Sequence, residues 1–134
     1  MYPVRCIRRK NLGEVLLCGA LAPPGMVFGL TLPPLNPVEQ PSYLAGEDLA
    51  RATGLPCLFE LGTADGLNFP QVQSDADLIL TTRYAEGFGM VFLESWLDER
   101  QLIGRDLPEI TADFLDVGMR LSGLLPHLFV PLEW

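Results

Sequence analysis

Apolar and polar positions along the chain form short apolar runs separated by amphipathic stretches, and this pattern predicts strands that alternate with helices. The segments predicted as strands are residues 4–7, 26–32, 55–61, 77–82, 102–104 and 128–132. The segments predicted as helices are residues 12–20, 42–53, 89–97 and 111–121. Such alternation is typical of βαβ units, so we predict an α/β fold with a Rossmann-like, doubly wound parallel sheet.

Local signals mark several boundaries of these elements. Asn11 and Ser42 stand where helix N-caps are expected, and Gly54 stands where the second helix should stop. The proline-rich stretch 33–37 can be neither helix nor central strand, because proline lacks the backbone N–H. The run 77–82 is almost continuously β-favouring, as expected for a strand buried on both faces of a parallel sheet.

The chain has 134 residues, of which 49% are hydrophobic, and this suits a single domain with a sizeable core. Its net charge of −8 argues against a general nucleic-acid or membrane-surface binder, because both need clustered cations over a broad face. No apolar run approaches the roughly 20 residues that span a bilayer, and the first residues lack the layout of a signal peptide. We therefore expect a cytoplasmic protein. Three cysteines without CxxC spacing and the single histidine, His127, argue against a Cys/His zinc site.

A basic cluster departs from this acidic average, because four of the nine basic residues fall close together: Arg5, Arg8, Arg9 and Lys10. One interpretation is a solvated basic segment, and the other is an anion site of limited extent, such as a phosphate site. In a doubly wound sheet, ligands bind beyond the carboxyl ends of the strands. The basic cluster, the proline-rich loop and the loops at 62–66 and 86–89 all follow predicted strands. Their expected convergence on one edge of the sheet favours the phosphate site.

Residues 81–94 combine a strand end, a glycine-containing loop and a helix start. The exposed N–H groups and the positive dipole end of a helix N-terminus attract anions, and Gly87 and Gly89 would let the backbone approach a ligand closely. Glu86 and Glu94 bracket the helix start, which rises ~7.5 Å from Gly89 to Glu94. Carboxylates are good acceptors for paired sugar hydroxyls. The alternative, a turn with two surface glutamates, is equally compatible with this local pattern.

The spacing of Glu86 and Glu94, with Gly87, Phe88 and Gly89 between them, resembles the Glu-x7-Glu motif of retaining glycosyltransferases of the GT-B fold, family 4 type. The resemblance implies that Glu86 accepts hydroxyls of the donor sugar and that Glu94 holds the ribose hydroxyls of the nucleotide. It also implies that the sugar and the diphosphate are lined by backbone groups of the donor-binding residues Gly87, Phe88 and Gly89.

Two further motifs fit the same family. Its members carry an Arg and a Lys, separated by four residues, after the first strand of the C-terminal domain, and Arg5 and Lys10 have this separation. The resemblance implies that this pair neutralises the diphosphate as it leaves. Residues 104–110 resemble the family's loop after the fifth strand. The catalytic residues implied are therefore Arg5, Lys10 and Glu86, with a nucleoside-diphosphate sugar as donor substrate, no other cofactor and no bound metal.

By this resemblance, residues 1–134 correspond to the C-terminal, nucleotide-sugar-binding half of a GT-B enzyme, without the N-terminal acceptor-binding domain. A complete enzyme would transfer a glycosyl group with retention of configuration, whereas the lone domain should have little transferase activity. Besides the nucleotide sugar, the expected partner is that acceptor-binding domain or another chain. One alternative is a non-catalytic remnant or interaction module with a Rossmann-like fold. Another, a doubly wound domain for a different phosphate ligand, leaves the glutamate pair unexplained.

Two lesser features have a structural interpretation. Asp75-Ala76-Asp77 matches a metal-binding pattern of the other glycosyltransferase fold, GT-A, but we interpret it as a helix-to-strand turn. Phe92 and Trp96 continue a stripe that starts at Phe88 with a spacing of four, which predicts a helix face directed at the core.

Overall fold

The computed structural model describes residues 1–63, 67–85 and 89–128, so Glu86, Gly87 and Phe88 of the predicted site lie outside the described residues. Strand and helix alternate along the chain, which confirms the predicted α/β class. In chain order the elements are β1 (Tyr2–Arg5), a 3-10 turn (Arg8–Lys10), α1 (Leu12–Leu21), β2 (Phe28–Leu32), α2 (Gln40–Thr53), β3 (Cys57–Leu58), α3 (Phe69–Ser74), β4 (Leu78–Thr81), α4 (Met90–Leu97), β5 (Gln101–Arg105), α5 (Pro108–Asp116) and β6 (Leu124–Leu125).

The strands pair in parallel in two groups, ordered β1-β2-β3 and β4-β5-β6. The backbone of Met1 joins the groups. Its ammonium donates to the Leu78 carbonyl at 2.6 Å, and the Leu80 amide donates to the Met1 carbonyl at 2.8 Å. The order across the sheet is therefore 3-2-1-4-5-6, which is that of a Rossmann-like sheet. The direction of chain progression reverses between β1 and β4, and this is where such sheets bind ligands.

Helices cover both faces of the sheet, as β4 illustrates. Leu80 belongs to a core with Val15 of α1 and Tyr43 of α2, whereas its neighbour Ile79 belongs to a second core with side chains of α4 and α5. Because successive strand residues face opposite sides, α1 and α2 cover one face and α4 and α5 cover the other. The predictions of a doubly wound sheet and of a strand buried on both faces are confirmed.

Helix boundaries near the start of the chain agree only in part with their predicted caps. α1 begins after Asn11, as predicted, but the Asn11 side chain donates to Oε2 of Glu14 at 2.7 Å instead of capping the helix. α2 begins at Gln40, so Ser42 lies inside the helix and its prediction as the cap is wrong. The predicted stop of this helix is confirmed, because Gly54 follows the last turn in the left-handed conformation, with φ 66°.

The last helix lies nearer the start of the chain than predicted. α5 begins at Pro108 and ends at Asp116, so the predicted helix at 111–121 is displaced. Pro108 occupies the first turn, where its fixed φ suits a helix and its missing N–H costs nothing. β6 precedes the predicted strand 128–132, of which residues 129–132 lie outside the described residues.

The sequence patterns did not predict α3. Its six residues give fewer than two turns, too few for a periodic apolar stripe. The cap at Asn68 is nevertheless a recognisable signal, because its side chain accepts a hydrogen bond from the Gln71 amide at 2.8 Å. Residues 75–77 connect α3 to β4, so their interpretation as a helix-to-strand turn is confirmed.

The apolar stripe predicted on α4 is only partly correct. Phe92 is fully buried, but Trp96 is 61% exposed. A spacing of four residues advances about 40° beyond a full helical turn, so a stripe built on that spacing rotates away from the core. The small side chain of Ser95 takes the buried position, and its hydroxyl donates to the Val91 carbonyl at 2.7 Å.

Candidate functional site

The loops that follow β1 and β4 meet at the carboxyl edge of the sheet, where the strand order reverses. The hydroxyl of Thr82 donates to the Lys10 carbonyl at 2.7 Å, and the Tyr84 amide donates to the Arg9 carbonyl at 3.4 Å. The basic cluster and the segment that leads into the predicted glutamate motif are therefore joined by hydrogen bonds. This is the position at which doubly wound sheets bind ligands.

Lys10 is a buried cation at this junction, and it is the only lysine in the sequence. The residue is 7% exposed. Burial lowers the pKa of its ammonium to about 8, and the positive charges of Arg83 and Arg9 act in the same direction. A bound anion would raise the pKa of Lys10 again, because a nearby negative charge favours the charged form of the ammonium. The arrangement therefore favours binding of a compact, multiply charged anion such as a diphosphate.

Arg83 lies two residues after the end of β4. Only 6% of the residue is exposed, and burial lowers the pKa of its guanidinium while the negative charge of Glu94 raises it. Arg83 therefore interacts electrostatically with both Lys10 and Glu94. The sequence motifs assigned no role to Arg83, although its position directly after the predicted strand 77–82 was a usable signal.

Glu94 lies on the exposed side of α4. It borders a cavity of about 280 Å³ whose other walls include Phe69 and Pro70 at the start of α3. The cavity places apolar side chains beside the carboxylate that the family resemblance assigns to the ribose. A ligand at Glu94 would therefore have apolar surface within reach.

Arg5 is the last residue of β1, and its Nη1 donates to the Pro33 carbonyl at 2.9 Å. Pro33 directly follows β2, so this contact holds the Arg5 guanidinium on the β2 side of β1. The Lys10 carbonyl accepts a hydrogen bond from Thr82, on the β4 side of β1.

Gly89 has a packing role that needs no ligand. It precedes α4 in the left-handed conformation, with φ 72°, which favours glycine. A Cβ at this position would also lie 2.7 Å from Ile110 and 3.0 Å from Phe114 of α5. The role of Gly89 in donor binding stays a prediction.

A second polar contact joins the first turn of α1 to the end of β5. Nε of Arg105, at the end of β5, donates to Oε2 of Glu14 at 3.2 Å, and this same oxygen accepts the bond from Asn11. The Glu14 side chain is only 7% exposed. The contact fixes the first turn of α1 to β5, across the gap between the two groups of strands.

The described residues contain neither a metal-ligand cluster nor a membrane-spanning helix. Across residues 1–63, 67–85 and 89–128, no three His, Cys, Asp or Glu side chains are grouped so that they could hold a metal ion. In the same ranges, no helix combines the length and the apolar character needed to cross a membrane. His127 is exposed near the end of the described chain.

Comparison with known proteins adds an independent observation. No family model matches the chain, and no solved structure matches it. Mannosylglucosyl-3-phosphoglycerate synthase from Petrotoga mobilis is 29% identical over 117 residues, which cover 87% of this chain and 23% of that protein. This similarity supports a glycosyltransferase relationship. The chain spans about a quarter of the length of this relative.

Proposed function

We propose that the chain binds the nucleotide-sugar donor of a retaining glycosyltransferase of the GT-B fold, family 4 type, as the C-terminal domain of that enzyme. The observation that carries the proposal is the pair of hydrogen bonds that joins the basic cluster to the segment after β4. Thr82 donates to the Lys10 carbonyl, and the Tyr84 amide donates to the Arg9 carbonyl. These residues belong to two motifs that are far apart in the sequence. The strand order 3-2-1-4-5-6 and the similarity to the Petrotoga mobilis synthase support the same function.

Each group in the site has a proposed task. Lys10 and Arg5 neutralise the diphosphate, and Glu94 accepts hydrogen bonds from the ribose hydroxyls. Glu86 accepts hydrogen bonds from the donor sugar, with Gly87, Phe88 and Gly89 alongside. A point-charge ammonium and a planar guanidinium fork complement each other on phosphate oxygens.

The proposed reaction exchanges one bond at the anomeric carbon for another. The bond to the diphosphate oxygen breaks, a bond to the acceptor hydroxyl oxygen forms on the same face, and the hydroxyl proton passes to the departing diphosphate. Negative charge develops on the leaving group, so the buried ammonium of Lys10 acts where stabilisation lowers the barrier most. Other parts of a complete enzyme would supply the acceptor site, and we expect the chain alone to bind donor while transferring little.

A calorimetric screen with nucleoside diphosphates and their sugar conjugates tests the proposal. We expect one base to be preferred and Glu94→Ala to weaken binding about ten- to a hundredfold, because a charge-assisted hydrogen bond to a hydroxyl is lost. Glu47→Ala, on the remote helix α2, is the matched control and should bind like the wild type. If no nucleotide binds, or if both variants behave alike, the proposal is wrong.

The alternative is an interaction module, and one observation favours it. Leu35 and Val38, in the loop after β2, are 75% and 83% exposed. Such apolar side chains at the carboxyl edge would suit contact with another domain. This function would be supported if the wild-type chain bound none of the nucleotides but associated with a second protein, and if Leu35→Ser abolished that association.

A further inference from the structure

Two buried hydroxyl groups hold the backbone at Lys10. Tyr2 is 1% exposed in β1, and its phenol hydroxyl donates to the Lys10 carbonyl. Thr82 is fully buried directly after β4, and its hydroxyl donates to the same carbonyl oxygen at 2.7 Å. The Lys10 carbonyl thus accepts one hydrogen bond from β1 and one from the residue that follows β4, the two strands that flank the reversal in strand order.

In this cluster, the number of hydroxyl donors equals the number of lone pairs on the Lys10 carbonyl oxygen. A carbonyl oxygen has two lone pairs, and each hydroxyl has one proton to donate. For Thr82, the Lys10 carbonyl is the nearest of three acceptors, since the Asn11 carbonyl and the Tyr2 hydroxyl lie at 3.1 and 3.3 Å. Both lone pairs of the Lys10 carbonyl are therefore used.

The backbone around Lys10 explains why this carbonyl needs side-chain donors. Lys10 ends a 3-10 turn, and Asn11 then adopts the left-handed conformation, with φ 56°. The Glu14 amide donates to the Asn11 carbonyl at 3.1 Å, so the hydrogen bonding of α1 begins one residue after Lys10. The kink turns the Lys10 carbonyl towards the sheet, where burial would penalise it without hydrogen-bond donors.

We propose that the hydroxyl groups of Tyr2 and Thr82 position Lys10 for the diphosphate, so that both are positioning residues of the donor site. The proposal rests on the proposed function for its ligand. The charged groups that face Lys10 include Arg83 from the loop after β4 and Arg9 from its own turn. By holding the backbone of Lys10, the two hydroxyl groups fix the point from which its side chain extends.

Thr82 also influences the position of its neighbour Arg83. Thr82 directly precedes Arg83, so the bond that holds Lys10 also fixes the start of the segment that carries Arg83 towards α4. One hydroxyl thereby sets the relative position of two cations that come from different loops.

Conservative variants test the proposal. Thr82→Val and Tyr2→Phe remove one hydroxyl each at nearly constant volume, and Thr82→Ser keeps a hydroxyl. Thr111→Val is the matched control, because Thr111 is equally buried and its hydroxyl bonds Asp106 at 2.7 Å, away from Lys10. Calorimetry with the preferred nucleoside diphosphate gives affinity, urea unfolding gives stability, and NMR of ¹³C-labelled lysine reports the pKa of Lys10 without interference, because the chain has one lysine.

We expect Thr82→Val and Tyr2→Phe each to weaken diphosphate binding roughly three- to tenfold, as for loss of one neutral hydrogen bond. We also expect the pKa of Lys10 to rise from about 8 towards its ordinary 10.5, because a loosened ammonium regains water. Thr82→Ser should restore both values, and Thr111→Val should lose stability alone.

The proposal is overturned if Thr82→Val and Tyr2→Phe lower stability like the control but leave affinity and the Lys10 pKa unchanged. If Thr82→Val does not fold, Tyr2→Phe gives the same decision. If the wild type binds no nucleoside diphosphate, the proposed function fails. The Lys10 pKa in the variants then still decides whether the hydroxyl groups position this side chain.

Discussion

Raising the pH above 8 should weaken diphosphate binding through Lys10. The pKa of this ammonium is lowered to about 8 by burial and by the charges of Arg83 and Arg9. A bound diphosphate favours the charged form, so the complex keeps its proton to higher pH. The apparent affinity should then fall with the protonated fraction of free Lys10. Relative to pH 7, we expect a loss of about tenfold at pH 9 and about thirtyfold at pH 9.5.

Calorimetry from pH 7 to 9.5 measures this dependence, and buffers of different ionisation enthalpy count the protons taken up on binding. Two variants serve as controls. Lys10→Arg stays charged throughout and should bind with a flat pH profile, whereas Lys10→Met should bind weakly with an equally flat profile. The Met1 ammonium, whose pKa is lowered by burial from 8.0, lies at the opposite end of β1 and contributes equally to all three proteins.

The reasoning is refuted if wild-type affinity is constant from pH 7 to 9.5. It is also refuted if Lys10→Arg shows the same decline as the wild type, because the titrating group would then be another one. The diphosphate itself cannot produce the decline, since its last proton leaves near pH 6.

Three further predictions follow from the same site. Lys10→Met should stabilise the free protein by about 1–3 kcal/mol at pH 7, measured by urea unfolding, because the folded state penalises the charged lysine. This gain should shrink as pH rises from about 8 to 10.5, because in that range the unfolded wild type binds more protons than the folded wild type and the wild type therefore gains stability. A stability difference between the two proteins that stays constant with pH would contradict this prediction. Glu86→Ala should weaken a nucleotide sugar in calorimetry but leave the free diphosphate nearly unchanged, and equal losses would refute its assignment to the sugar. EDTA should leave nucleotide affinity unchanged, and a large loss would instead implicate Asp75 and Asp77 as metal ligands.

The sheet could be predicted from the sequence because its signals are local. Each of the first five apolar runs marks one strand, and the glycine at residue 54 marks a helix end through its own backbone preference. α3 lacked such a signal, since six residues do not show periodicity. The start of α5 did carry one, in Pro108, and the apolar pattern at 111–121 outweighed it.

The contacts that shape the site could not be predicted in this way. Arg105 reaches Glu14, and Thr82 reaches Lys10, across most of the chain length. Such pairs depend on the order of strands and on the direction of each side chain at the sheet edge. Spacing within a single motif encodes neither the strand order nor the side-chain direction. It does encode the placement of Lys10 after the first strand.

Direct observation of Lys10 during titration with nucleoside diphosphates tests the central claim. The chain has one lysine, so ¹³C-labelled lysine gives a side-chain NMR signal that belongs to this residue alone. If the chain is a donor-binding domain, one nucleoside diphosphate should shift the signal saturably and raise the pKa of Lys10 above about 8, and Glu94→Ala should weaken this response. A signal that no nucleoside diphosphate shifts, or a nucleotide that binds while the pKa of Lys10 stays the same, would contradict the account.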